Sequence, residues 1–176
     1  MPEVQKILIT VNFSEDSADG LKYAVSLAKE TQAELLVLHV AQKKEAETFL
    51  DFLAVMEGLP ALNRPAGIPL DRLLREKALD LYRFIEEVVR NPGRLKISRR
   101  VVLGNKEDKI VEVANTERID LVVLADGKKP FFPRLMARGK LLKMISRLPC
   151  PVLLKLPVFE SWPHSGIIRR SAYARS

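Results

Sequence analysis

The chain has 176 residues, 47% of them hydrophobic and 29% charged, a composition that fits one globular domain and excludes fibrous and disordered classes. Cys150 is the only cysteine, so no intrachain disulfide can form, and the N-terminus lacks a signal peptide's basic and apolar regions; a cytoplasmic location and no membrane association are expected. The net charge of +7 would suit a polyanion, yet no aromatic-interleaved basic motif accompanies it, and nucleic acid is not an expected partner.

Lys6 to Val11 is a β-branched apolar strand ending at Asn12. A helix follows, with Ser14 or Ser17 as N-cap and Leu21, Ala24, Val25 and Ala28 on its buried face. Glu34 to Val40 reads as a second buried strand, so the first unit is strand, helix, parallel strand. An insert at 43–69 interrupts the rhythm. Its first half, Glu45 to Glu57, spaces Phe49, Leu50, Phe52, Leu53 and Met56 as a short amphipathic helix; its second half, Leu59 to Pro69, is a proline-rich surface loop.

Leu70 to Arg90 predicts a long helix with Leu73, Leu74, Ala78, Leu81, Ile85, Val88 and Val89 in its apolar stripe, stopped by Asn91-Pro92-Gly93. Leu95 to Leu103 is a strand whose Arg99 and Arg100 suit an exposed sheet edge or a strand end. Lys106 to Glu117 is helical, and Leu121 to Ala125 is a short buried strand. A basic segment from Asp126 to Lys140 then leads through a helix, from about Arg134 to Arg147, to a last strand beginning at Cys150. Strands alternating with helices imply a doubly wound α/β sheet with helices on both faces. Such sheets bind ligands outside the carboxyl ends of their strands. The rim residues are Asn12 and Phe13, Val40 and Ala41, and Asp126 to Pro130.

Four blocks of the chain resemble the universal stress protein family: Ile7 through Ser17, Ala33 through Val40, Gly104 through Ala125, and Pro149 through Leu153. The resemblance implies a five-stranded parallel sheet in the order 3-2-1-4-5, adenine-nucleotide alpha-hydrolase-like, over residues 1–157, with a tail at 158–176. It also implies a homodimer through the last strand (150–156), and the long apolar edge of that strand independently calls for cover. Nucleotide-binding members of the family resemble one another in a G-x2-G-x9-G-[ST] loop and an aspartate after the first strand. Aligned on Gly139, this chain has Asp126 and Lys129 at the first two glycine positions, Gly127 one place out of register, Lys140 at the hydroxyl position and Asn12 at the aspartate position.

Side chains at those positions obstruct the approach of backbone N–H groups to phosphate, and Asp126 sets a carboxylate where phosphates would lie. The expectation is a non-catalytic regulatory or binding protein of the stress response, with no cofactor and an unidentified protein partner. The alternative is an adenine-nucleotide-binding member that holds ATP through Asn12, the Val40 backbone and the segment 126–140, where Lys128, Lys129, Arg134, Arg138 and Lys140 oppose only Asp126. A solvated basic loop is the simpler account of those charges.

Other chemistry fails on inspection. Gly139-Lys140 is no P-loop, because the upstream glycine position is Arg134. His39 and His164 have no companion at metal-ligand spacing, and Ser14 with Asp16 has no histidine base. Cys150, between two prolines, reads as an unreactive filler. Trp162 and Phe159 suggest that the start of the tail docks, with the last residues mobile.

Overall fold

The computed structural model describes residues 3–56, 58, 69–125 and 135–155. Five parallel strands form one sheet in the order β3-β2-β1-β4-β5: β1 (Lys6–Val11), β2 (Glu34–Ala41), β3 (Ile97–Leu103), β4 (Leu121–Ala125) and β5 (Val152–Lys155). The order and parallel pairing expected from the sequence are both present. Reversal of winding between β1 and β4 opens the sheet at their carboxyl ends.

Alternation of side chains along each strand sends alternate residues to opposite faces, and both faces are apolar. Ile7, Ile9 and Val11 of β1 join Leu35 and Val37 of β2 beneath α1 (Glu15–Thr31) and α3 (Pro69–Val88). Leu8, Leu36 and Leu38 face the other way, beneath α4 (Lys106–Thr116) and α5 (Leu135–Ile145). The remaining helix, α2 (Lys43–Met56), lies against α3 rather than the sheet. Among the described residues, no helix is long and apolar enough to cross a membrane.

Local chemistry sets the ends of these elements. Ser14, not Ser17, is the N-cap of α1, its side chain accepting from the Ser17 N–H, and Asn105 caps α4 in the same way. Gln32 closes α1 in the left-handed conformation without a glycine. Asp120 does more than bound β4: its carboxylate accepts the N–H groups of Gln5 and Lys6, at 3.0 and 2.9 Å, fastening the start of β1. Arg100 on the edge strand β3 donates to Glu117 at 2.6 Å, and Lys6 reaches the same carboxylate at 2.7 Å. These contacts hold that carboxyl below its ordinary range, the Lys6 hydrogen bond being the larger cause.

Several boundaries move from those expected. Helix α2 starts earlier, at Lys43, and β5 starts later, at Val152, leaving Cys150 ahead of the strand. Burial is the main cause of the raised Cys150 thiol pKa, followed by the Asp120 charge, so the thiol is held protonated and unreactive. Residues 59–68 of the proline-rich loop, Asp126 to Pro130 and the tail lie outside the described residues, and Pro69, expected to end the loop, is the first residue of α3.

Candidate functional site

The first residue of the carboxyl rim is Asn12. Its Oδ1 accepts from the Ser14 backbone N–H at 3.2 Å, from the Ser14 hydroxyl at 2.6 Å and from the Ser17 hydroxyl. The Asn12 N–H in turn donates to Ser17 Oγ at 3.0 Å, and Ser17 is buried. The side chain is thus turned into the first turn of α1, where it organises the cap instead of standing free on the rim.

Phe13 comes next, with φ at 62°, in the left-handed region that bulky side chains avoid. This conformation goes with a packed ring. Phe13 stacks on His39 at the end of β2, with centroids 4.3 Å apart, and meets Phe84 of α3 edge-on at 5.6 Å. Lys77 places its ammonium 5.7 Å from the Phe13 centroid.

His39 is 4% exposed, and its Nδ1 lies 2.9 Å from the Val11 carbonyl. A carbonyl only accepts, so Nδ1 carries the proton and Nε2 is a bare acceptor. Nε2 is buried without a hydrogen-bond partner among the described residues, and a Glu45 carboxylate oxygen lies 3.9 Å away. Burial lowers the His39 pKa more than the Val11 bond, Glu45 and Asp80 raise it, and Lys77 adds to the lowering.

The pairing of Val11 with His39 carries Asn12 level with Val40, so these two predicted residues share the rim. The Val40 side chain is buried on the α4 face, opposite the Phe13–His39 stack. Gly139 and Lys140 lie within α5, both exposed, and a Cβ on Gly139 would meet nothing within 4 Å. Asp126, Gly127 and Lys129 lie outside the described residues.

The sequence reading missed two contributors. Gly20 of α1 presses on the end of β4, where an added Cβ would sit 2.3 Å from the Ala125 Cβ, so the glycine lets the helix approach the rim. The second is the aromatic stack, whose members are distant in sequence and whose only local signal was a Phe directly after a buried strand. Among the described residues no group of His, Cys, Asp and Glu converges to hold a metal ion.

Comparison with known proteins agrees with this architecture. A universal stress protein of Methanocaldococcus jannaschii is 25% identical over 150 residues, covering 85% of this chain and 81% of its own. A solved universal stress protein in complex with cAMP superposes with a TM-score of 0.55 at 17% identity, over 88% of this chain and 98% of that one. The Archaeoglobus fulgidus universal stress protein in complex with dAMP superposes at 0.51 and 16% identity, over 86% and 98%. The model of the universal stress protein family matches residues 3–154, and the chain belongs to that family.

Proposed function

We propose that the protein is a non-catalytic regulatory or binding module of the universal stress type that does not hold ATP. The observation behind this reading is the state of Asn12. An amide stands where nucleotide-binding members carry an aspartate, and its oxygen already accepts from Ser14 and Ser17. Asp126 and Lys129, where glycines would be needed for close phosphate approach, support the same conclusion from sequence. The protein is taken to work in the cytoplasm as a homodimer joined through β5, in concert with a protein partner.

Purified protein, denatured and analysed by mass spectrometry, is expected to release no stoichiometric adenine nucleotide. Retained ATP would overturn the proposal.

One observation favours a second reading, adenine-nucleotide binding through the basic segment. Two relatives of the same fold were solved with cAMP and with dAMP. In that case Arg138 and Lys140 would supply phosphate contacts by charge rather than through a glycine nest. Substituting both with alanine would then abolish nucleotide affinity, whereas an unchanged affinity would eliminate the side-chain clamp.

A further inference from the structure

Strand β3 ends the sheet on the side opposite β5. It pairs with β2, and among the described residues nothing pairs with its outer side. The ladder identifies the groups left open. The Lys96 carbonyl accepts from the Leu35 N–H at 2.9 Å, and the Gly104 N–H donates to the Ala41 carbonyl at 3.0 Å. Alternation between those two points turns the N–H and carbonyl groups of Ile97, Arg99, Val101 and Leu103 outward.

Helix α3 packs on β3 and carries apolar surface toward this edge. Its Leu73, Leu81 and Ile85 are buried, whereas Leu79 is 55% and Tyr82 46% exposed. The Arg99 guanidinium lies 4.6 Å from the centroid of the Tyr82 ring, which turns that flank of α3 to the open edge. At about 3.6 residues per turn, Leu79 and Arg75 stand on the same flank, toward the start of the helix. A strand added beside β3 would lie beneath this flank and bury its exposed side chains.

The charges there select the strand. Arg75, Arg83 and Arg99 are exposed and form no ion pair among the described residues, with Glu86 as their acidic neighbour on the helix. Glu76 and Asp80 lie on the other side of α3, facing α2. A second copy of β3 would set these arginines against their like, which opposes self-pairing. Carboxylates would meet free guanidinium groups instead.

We infer that the β3 edge binds an extended acidic segment of another protein as a sixth strand. The segment pairs its backbone with the outward groups of Ile97 to Leu103. On its α3-facing side it carries apolar residues beneath Leu79 and Tyr82, flanked by carboxylates that reach the arginines. The inference is independent of what the Asn12 rim holds.

The test titrates the full chain with a synthetic peptide, acetyl-TETVTFTET-amide, whose glutamates, valine and phenylalanine share one face of a strand. Calorimetry should show saturable binding with Kd below about 1 mM. Hydrogen exchange followed by NMR should show the Arg99 and Val101 amides slowed at least about tenfold in the complex. Arg99→Glu should weaken binding at least about tenfold, or about 1.4 kcal/mol, and Tyr82→Ala at least about threefold. Both side chains are exposed, and circular dichroism verifies that the variants fold. The lysine counterpart, acetyl-TKTVTFTKT-amide, should bind at least about tenfold more weakly. Absence of saturable binding up to about 1 mM would overturn the inference. Binding that leaves the two amides unprotected, equal affinity for the lysine peptide, or unchanged affinity in both variants would overturn it as well. Amides already protected in the free chain would mean that a second copy or another segment of this chain covers the edge, and would equally overturn it.

Discussion

Two rim residues have measurable consequences of their own. His39 is buried in its neutral form, and its folded pKa lies below the ordinary 6.5, chiefly through burial. The unfolded chain takes up this proton as pH falls through about 6.5, while the folded chain resists it until lower pH. Proton uptake at His39 therefore takes nothing from stability above that value, and stability declines as pH drops from there toward the folded pKa, by at most about 1.4 kcal/mol per pH unit. Denaturant midpoints should be higher at about pH 7.5 than at about pH 5.5, and His39→Leu should flatten the difference. A wild-type midpoint that does not fall between those values would exclude the effect. Asn12 makes a different prediction. Asn12→Ala takes the acceptor from the buried Ser17 hydroxyl and from the Ser14 N–H, so it should cost about 1–2 kcal/mol. Asn12→Asp keeps the acceptor and puts negative charge at a helix N-terminus, so it should leave stability within about 1 kcal/mol of wild type. Equal melting of all three proteins would mean that the cap contributes nothing.

Among the elements, the strands were the most legible part of the sequence. Their apolar runs report burial on both faces, and Ile7 to Val11, Leu35 to Leu38 and Val122 to Leu124 are all fully or nearly buried. Helix α3 was equally clear, because Leu73, Leu81 and Ile85 recur at helical spacing and form its buried stripe. Close approach between elements was not legible. The helical periodicity of α1 carries no sign that Gly20 marks where the helix touches β4. Gly20→Ala should improve intrinsic helix propensity by about 1 kcal/mol and still destabilise the protein. The new methyl meets the Ala125 Cβ, and displacing the end of β4 should cost about 1–3 kcal/mol net. A raised melting temperature in Gly20→Ala would disprove the close packing. The candidate site was legible only as positions. That Asn12 and Val40 would share a rim followed from the winding, whereas the inward turn of Asn12 and the Phe13–His39 stack depend on side chains brought together from different elements.

At the scale of the whole molecule, the open question is what covers the sheet edge. Strand β5 pairs on one side with β4, and among the described residues nothing pairs with its other side. Leu154 is 44% exposed there. The ladder identifies the backbone groups left open: Val122 N–H donates to the Pro151 carbonyl at 3.1 Å, so Pro151 points toward β4. Alternation then turns Leu153 toward β4 as well, and Val152 and Leu154 outward. An outward row of donors and acceptors on an apolar strand invites pairing, and a two-fold axis satisfies both copies with closed symmetry. In solution the protein should therefore have twice its chain mass of 19.9 kDa at micromolar concentration, measured by light scattering on a sizing column. Leu154→Pro removes an outward N–H while sparing the ladder to β4, and proline is tolerated on an edge strand. This variant should be monomeric with its circular dichroism spectrum unchanged. A dimeric Leu154→Pro protein would move the interface away from β5, and a monomeric wild type would leave the edge uncovered by a second copy.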